Sequence, residues 1–217
     1  SKSFNADKEE LPSLGAKVCM AVDKAYDPEQ HLPIEVSTED RDAYGADVGF
    51  IGTYAPERGV DLMFLAENGI SVRVWGNGWD EFRRTHPNLN VEKRALVNRQ
   101  GDLRYSKGIA ATKINLGFLR KINRDLQTDR SIEIPACGGF MLAEYSSDHA
   151  RLFADGREAV FYLNLEDLLE KTRYFLDHDE EREKIAVAGR VRCENSGYSH
   201  DARMAFMLEA ALKQRPS

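Results

Sequence analysis

The stretch DVGFIGTYAPERGVDLMFLAENGISVRVWG, residues 47–76, consists of two short apolar runs with a segment of helical character between them. The first run ends at Gly52, and Pro56 stands where a helix can begin, because proline lacks an amide hydrogen and its fixed φ suits the first helical turn. Asn68–Gly69 is a typical helix stop. A strand, a helix and a second strand in this order predict a βαβ unit with parallel strands.

The same alternation of apolar runs and helical patterns extends along the chain. Further strands are predicted at 17–22, 90–96, 111–118, 140–143 and 159–163, further helices at 38–44, 101–107, 128–137, 165–176, 179–194 and 200–213, and a linker at 25–36. This pattern predicts an α/β fold, a three-layer Rossmann-like parallel sheet with helices on both faces. Ligands of such sheets bind beyond the carboxyl ends of the strands, so Gly52 and the helix start at Thr128 are expected to share one rim.

The composition argues against several classes of protein. The chain has 217 residues and a net charge of −6, whereas general nucleic-acid binders carry a basic surplus. No apolar run approaches the ~20 residues needed to cross a bilayer, and the first residues lack the features of a secretory signal. Cys19, Cys137 and Cys193 form neither a disulfide framework nor a zinc pattern. We therefore expect a cytoplasmic protein without a transmembrane segment that binds no nucleic acid.

The turn GTYAPER, residues 52–58, is the first candidate binding element. Gly52 at a strand end lets backbone approach a ligand closely, and the following helix points free amides and the positive end of its dipole at the rim. Arg58, in the first helical turn, is able to hold a phosphate with two hydrogen bonds. An ordinary strand-to-helix turn with an exposed arginine explains the same residues, and such turns are the more common case.

The segment RSIEIPACGGF, residues 130–140, is the second candidate. Glu133 near the helix start is favoured by the helix dipole and accepts two hydrogen bonds, which is the geometry that adjacent ribose hydroxyls offer. Ser131 and nearby free amides are candidates for contacts with phosphate oxygens. Pro135 is expected to confine the helix to a short piece. A capped helix with a dipole-compensating glutamate explains the segment equally well.

Other catalytic motifs are missing from the sequence. It contains no G-x-G-x-x-G between strand and helix, no G-x-x-x-x-G-K-[ST] and no G-x-S-x-G, which argues against dinucleotide enzymes, nucleoside triphosphatases and α/β-hydrolases. The five histidines form no pair with metal-binding spacing. Trp79 is expected in the core rather than against a ligand. We therefore expect neither a bound metal nor a cofactor.

The motifs and their order resemble those of a known family. The runs YDPEQHLP (26–33), ADVGFIGTYAPER (46–58), RSIEIPACGGFMLAEYSSDHARLF (130–153) and EDLLEKTRYFLDHDEEREKIAVAG (166–189) carry the resemblance. They are similar to the spore-maturation-protein-like glycosyltransferases, which belong to the group 1 enzymes with GT-B architecture. The resemblance implies a C-terminal Rossmann-like domain that binds a nucleotide-sugar donor such as a UDP-sugar.

The resemblance also implies roles for individual residues. The donor-binding positions that it suggests are Gly52, Thr53, Arg58, Lys113, Arg130, Ser131 and Glu133. Among these, Glu133 is similar to the family glutamate that holds the ribose, and Arg130 resembles the basic residue on the same helix. Group 1 enzymes often carry a further acidic residue eight positions before that glutamate. This position is Asp125 here, although its surroundings do not match the family pattern.

The resemblance finally implies how the chain is organised. Residues 1–45 correspond to a remnant of an N-terminal domain and an interdomain linker, residues 46–198 to the nucleotide-sugar-binding domain, and residues 199–217 to a C-terminal helix. In such enzymes the N-terminal domain binds the acceptor and supplies the catalytic base. We therefore expect the chain alone to bind a donor and to transfer sugar poorly or not at all to its unknown acceptor. A non-catalytic docking module and an epimerase-like half remain alternatives.

Overall fold

The computed structural model describes residues 4–92 and 94–213. Within them the strands are β1 (Ala46–Ile51), β2 (Val72–Trp75), β3 (Leu89–Glu92), β4 (Thr112–Gly117), β5 (Met141–Glu144) and β6 (Val160–Tyr162). The α-helices are α1 (Phe4–Ser13), α2 (Thr38–Tyr44), α3 (Pro56–Glu67), α4 (Arg104–Ala111), α5 (Arg130–Ala136), α6 (Ser147–Leu152), α7 (Leu165–Asp177), α8 (Asp179–Asn195) and α9 (His200–Lys213). Single turns of 3-10 helix lie at Trp79–Glu81 and Lys121–Asn123.

The six strands form one parallel sheet in the order β3-β2-β1-β4-β5-β6. The chain first extends the sheet from β1 to β3 and then returns to the other side of β1, so the winding reverses between β1 and β4. A crevice opens at such a reversal, beyond the carboxyl ends of the strands. The predicted Rossmann-like parallel sheet is confirmed, and its topology places the crevice between β1 and β4.

Helices cover both faces of this sheet. On one face the core contains Leu62 from α3 and Leu168 from α7, and on the other it contains Ile109 from α4 and Ile132 from α5. Successive side chains of a strand point to opposite faces, and β1, β2, β5 and β6 each contribute residues to both cores. Since both faces are covered, β1, β5 and β6 consist mostly of apolar residues.

The turns after β1 and β2 hold each other in place. The amide of Gly52 donates to the carbonyl of Trp75, and the indole nitrogen of Trp79 donates to the carbonyl of Gly52, each over 2.8 Å. A Cβ on Gly76 would lie 1.9 Å from the Gly52 carbonyl oxygen, so only glycine fits there. Trp79 is 1% exposed, which agrees with its expected place in the core.

One predicted strand does not form. Residues 17–22 are irregular, and Val18 is 55% exposed. These residues pair with neither edge strand of the sheet, β3 or β6, so their backbone is not part of its ladder of hydrogen bonds. The predicted linker at 25–36 is also irregular, and its only bridge among the described residues joins Tyr26 to Ser199.

Smaller differences concern the bounds of elements. The helix predicted at 101–107 begins at Arg104 and continues to Ala111, and the strand predicted at 90–96 is limited to Leu89–Glu92. Helix α6 was not predicted. It begins after Ser146, whose hydroxyl accepts a hydrogen bond from the amide of His149. The helix containing Pro135 is confined to Arg130–Ala136, as expected.

Candidate functional site

The ends of β1 and β4 and the beginnings of α3 and α5 meet at one rim of the sheet. Arg130 at the start of α5 donates from Nε to the carbonyl of Ile51, the last residue of β1, over 2.8 Å. Gly52 and the start of this helix therefore lie on the same side, as predicted. A carbonyl at the end of a strand has no hydrogen-bond partner in the neighbouring strand, and here the guanidinium of Arg130 supplies that hydrogen bond.

Two clefts open on this rim, and Arg130 lines both. The wide cleft, about 530 Å³, is lined by Asp27, Gln30, His31, Leu96, Val97, Asn98, Arg99, Gln100, Tyr105, Arg130, Glu133 and His200. The narrow cleft, about 140 Å³, is lined by Phe50, Ile51, Gly52, Thr53, Arg58, Phe118, Thr128, Asp129 and Arg130. Four of the predicted site residues, Gly52, Thr53, Arg58 and Arg130, therefore line the narrow cleft, and Glu133 lines the wide one.

The carboxylate of Glu133 is held in a fixed orientation. Its Oε2 accepts hydrogen bonds from the Tyr105 hydroxyl, over 2.9 Å, and from Nη1 of Arg130, over 2.6 Å. The Arg130 guanidinium also lies 4.9 Å above the Tyr105 ring. Oε1 lies 3.5 Å from Nε2 of His31. The arrangement fixes one oxygen of Glu133 and leaves the other facing the wide cleft.

His31 takes part in the site although its position in the linker gave no reason to select it. Its Nδ1 accepts a hydrogen bond from the amide of Asp27 over 3.0 Å, which places the ring proton on Nε2, the atom that faces Glu133. Burial lowers the pKa of His31, and the charge of Glu133 opposes this effect. In the sequence, the four-residue spacing of Asp27 and His31 within the linker is the one local indication of the hydrogen bond between them.

Arg58 is a nearly buried cation in the narrow cleft. It is 7% exposed, its Nη1 donates to the carbonyl of Thr53 over 2.8 Å, and its Nε is buried without a hydrogen-bond partner. Burial and the charge of Arg120 lower the pKa of Arg58, and Arg130 acts in the same direction. Arginine remains charged in such a place. Within the described residues Arg58 forms no ion pair, so a positive charge is available at the rim.

The loop that follows β4 contributes to the same region. Arg120 has a buried Nε without a partner, and Asp125 has a buried Oδ1 without one, counting partners among the described residues. The charge of Asp125 reaches Arg58, whose pKa it raises. Between them, Arg124 has a φ of +54°, the one left-handed residue other than glycine in the described parts of the chain. Strained backbone of this kind is frequent at ligand sites.

Ser131 does not face the rim, contrary to the prediction. It is 1% exposed, its hydroxyl accepts from the amide of Thr128 over 2.9 Å, and it lies 2.7 Å from Nε2 of His149. The other ring nitrogen of His149 donates to the carbonyl of Glu144 over 2.6 Å, so Nε2 is the acceptor and Ser131 is its donor. Burial lowers the pKa of His149 to about 4. The pair is part of the core and has no ligand-binding surface.

Lys113 lies away from the clefts, and this prediction also needs correction. It is the second residue of β4, near the amino end of the strand, whereas the rim lies beyond the carboxyl ends. Its Nζ is 2.7 Å from a carboxylate oxygen of Asp47, near the beginning of the neighbouring strand β1. The parallel direction of β4 therefore separates Lys113 from Arg58 and Arg130 by the length of the sheet.

Two further properties limit the chemistry of the described residues. Across 4–92 and 94–213, no helix has the length and apolar character that a membrane span requires. No group of three or more histidine, cysteine, aspartate or glutamate side chains in the same residues is able to hold a metal ion. The charged groups that line the two clefts at the rim include the guanidinium groups of Arg58 and Arg130 and the carboxylate of Glu133.

Solved structures share this fold. The protein HepE from Anabaena, in complex with UDP-glucose, has a TM-score of 0.74 at 11% identity, over 98% of this chain and 63% of that one. Sucrose-phosphate synthase from Thermosynechococcus elongatus has a TM-score of 0.70 at 12% identity, over 97% of this chain and 57% of that one. The C-terminal domain of the group 1 glycosyl transferase LpcC from Francisella tularensis has a TM-score of 0.60 at 12% identity, over 81% of this chain and 100% of that domain. At these identities the likeness establishes the fold.

The sheet and rim thus define a Rossmann-like domain of the kind found at the C-terminal end of GT-B glycosyltransferases. A family model described as "Glycosyl transferase-like" matches residues 60–209. The chain belongs to this glycosyl transferase-like family. No similar sequence is found among curated proteins. The chain spans about three fifths of the two longer structures compared above.

Replacement of Ser131 by alanine tests its assignment to the core. Ser131→Ala is expected to lower the free energy of unfolding by about 1–3 kcal/mol, because the Thr128 amide and Nε2 of His149 would be buried without partners. Urea unfolding measures the effect. The exposed Ser147 provides the control, since Ser147→Ala is expected to change stability by less than about 0.5 kcal/mol. Equal effects of the two variants would contradict the buried network.

The pH dependence of stability tests the state of His149. Its folded pKa of about 4 lies below the ordinary value of 6.5, so its contribution to stability is complete above pH 6.5 and is lost as the pH falls toward 4. The loss amounts to roughly 3 kcal/mol. Urea unfolding at several pH values is expected to show a smaller decrease for His149→Gln, whose amide does not titrate. Parallel curves for the two proteins would exclude a buried neutral His149.

Proposed function

We propose that this chain is the donor-binding domain of a glycosyltransferase that transfers a sugar from a nucleoside-diphosphate sugar to an acceptor. The observation that carries the proposal is the nearly buried Arg58, which forms no ion pair among the described residues and lines the narrow cleft together with Arg130. A buried cation without a counter-ion is costly, and a diphosphate would neutralise it. The family of the chain and its fold agree with this assignment.

In this proposal the two clefts bind different parts of the nucleotide. The wide cleft of about 530 Å³ suits a nucleoside, and its Glu133 Oε1 is placed to accept hydrogen bonds from ribose hydroxyls. The narrow cleft suits the diphosphate, with Arg58 and Arg130 as donors and Gly52–Thr53 as the adjoining backbone. Arg130 lines both clefts, so one side chain would contact the junction of ribose and phosphate. Asp125, near Arg58, would face the sugar side of the diphosphate.

The chemistry expected of these residues is electrostatic. Glycosyl transfer builds negative charge on the departing diphosphate while the sugar becomes positively charged. Arginines fixed at the rim stabilise that charge without reorganising during the reaction, and a partly buried setting strengthens their effect. In this proposal they act without a metal or cofactor. The catalytic base would come from the domain that binds the acceptor.

The proposal extends to a preceding domain. In such an arrangement residues 1–45 hold the remnant of that domain and the linker, residues 46–198 form the donor domain, and residues 199–217 are the C-terminal helical segment that includes α9. The exposed apolar side chains of α9, Met204, Phe206, Leu208 and Leu212, support a partner surface there. Residues 214–217 of this predicted segment lie outside the described ones. The order of the motifs supports the spore-maturation-protein-like group within the family, and three widely spaced cysteines without a disulfide pattern favour a reducing cytoplasm.

A docking module without activity is the second candidate, because α9 exposes apolar residues. That reading would be favoured by an occluded donor rim, whereas both clefts at the rim are open to ligand. An epimerase-like half would use the same clefts. An experiment with a labelled UDP-sugar and no acceptor separates an epimerase from a transferase, since an epimerase changes the sugar and a transferase at most hydrolyses it.

Loss of either arginine is expected to weaken diphosphate binding. Arg58→Ala and Arg130→Ala should each reduce the affinity for UDP by about 1.5–3 kcal/mol, as for hydrogen bonds to charged groups. Isothermal titration calorimetry measures the change, with melting temperatures recorded to show that the variants are folded. Arg157→Ala is the matched control, because Arg157 is exposed and precedes the amino end of β6. Unchanged affinity in both test variants would remove the arginines from the site.

Glu133 should distinguish nucleotides from free pyrophosphate. Glu133→Gln keeps the shape of the side chain but removes the charge that strengthens hydrogen bonds from ribose hydroxyls. We expect weaker binding of UDP, by about 1.5–3 kcal/mol, and little change for pyrophosphate. Calorimetry with both ligands is the measurement, and Glu170→Gln on the exposed side of α7 is the control. An equal loss for both ligands would speak against a ribose contact.

A further inference from the structure

The linker residue His31 has a fixed place in the wall of the wide cleft. The carbonyl of the preceding residue, Gln30, accepts hydrogen bonds from Nδ2 of Asn98 over 2.6 Å and from the hydroxyl of Ser106 over 2.7 Å. The carbonyl of His31 itself accepts from Nη1 of Arg190 over 3.2 Å. Ser106 belongs to α4 and Arg190 to α8, so this part of the linker is attached to two helices of the domain.

The ring of His31 has a defined orientation and protonation state. Its Nδ1 accepts from the amide of Asp27 over 3.0 Å, and the ring packs edge-on against Tyr105 with the ring centres 5.6 Å apart. Burial lowers the pKa of His31 below its ordinary value of 6.5, so the ring is neutral at pH 7 and has one ring proton. Because Nδ1 is an acceptor, this proton lies on Nε2, which is therefore a neutral hydrogen-bond donor.

Nε2 of His31 and Oε1 of Glu133 are a donor and an acceptor held close together. They lie 3.5 Å apart, which is longer than the roughly 2.7–3.2 Å of an ordinary N–H···O hydrogen bond. Both side chains line the wide cleft, and 15% and 14% of their surfaces are exposed, so a ligand in the cleft can reach them. A hydroxyl group donates one hydrogen bond and accepts others. One hydroxyl placed between the two atoms would satisfy both.

We propose that His31 is a specificity-determining residue for the ribose of the nucleotide, with Nε2 donating to the same ribose hydroxyl that donates to Glu133. This inference rests on the proposed function, because it requires a nucleoside in the wide cleft. A carboxylate alone accepts from any donor. A carboxylate with an adjacent N–H selects a group that donates and accepts at once, and a sugar without that hydroxyl leaves both side chains unsatisfied.

A purely structural role of His31 would depend on its other ring nitrogen. The hydrogen bond from the Asp27 amide to Nδ1 closes a turn of the linker and does not involve Nε2. Two substitutions separate these roles. In His31→Asn the amide oxygen is able to replace Nδ1 as an acceptor, but the short side chain offers no donor to the cleft. In His31→Gln the longer side chain is able to place its amide nitrogen where Nε2 lies.

The experiment compares UDP and GDP with their 2′-deoxy and 3′-deoxy analogues. Calorimetry is carried out on the wild-type chain and on His31→Asn, His31→Gln and His178→Gln, and melting temperatures show that each variant is folded. His178→Gln is the matched control, because His178 is exposed and follows α7, which begins at the rim and runs away from it. Pyrophosphate, which has no ribose, is expected to bind all four proteins equally.

His31→Asn is expected to bind the nucleotide that the wild type prefers about 5- to 10-fold more weakly, and to bind at least one of its deoxy analogues as tightly as the wild type does. His31→Gln and the control are expected to keep the preference for ribose. The reverse pattern, with His31→Asn like the wild type and His31→Gln impaired, would assign a structural role and overturn the inference. Equal losses for the ribose and both deoxyribose forms would also overturn it.

Glu133→Gln separates failure of this inference from failure of the proposed function. If the wild type binds UDP or GDP, and Glu133→Gln weakens that binding while His31→Asn does not, the proposed function stands and the role of His31 is wrong. If the wild type binds neither nucleotide, the proposed function fails and the inference fails with it.

Discussion

The hydrogen bond from Arg130 to the carbonyl of Ile51 is the contact on which the site depends. It joins the start of α5 to the end of β1 across the point where the winding of the sheet reverses. The same guanidinium pairs with Glu133 and lies over the ring of Tyr105. One side chain thereby satisfies a strand-end carbonyl, orients a carboxylate and keeps a positive charge at the junction of two clefts. The planar, permanently charged guanidinium makes this combination possible.

The rim is electrostatically unlike the rest of the chain, which has a net charge of −6. Arg58, Arg120 and Arg130 act on one another there, although like charges in a partly buried setting repel. A bound anion would relieve this repulsion.

The wrong predictions for Ser131 and Lys113 have simple geometric reasons. Ser131 precedes Glu133 by two residues, which is about 200° around an α-helix, so the two side chains cannot both face the cleft. Lys113 lies at the amino end of a strand whose carboxyl end forms the rim. Both facts were contained in the predicted helix and strand. Arg58 and Glu133 were correctly expected at the rim, because helix starts that follow parallel strands always lie on that side.

The sequence by itself determined the parallel sheet, the positions of most helices and the two segments that meet at the rim. These features follow from local periodicity and from turn residues, which act over a few neighbours. The tertiary structure alone decided that His31 of the linker faces Glu133, that Tyr105 fixes its carboxylate, and that Tyr162 shares a cavity with Asp61. These pairs are distant in the chain, and their contact depends on the strand order 3-2-1-4-5-6, which no local pattern encodes.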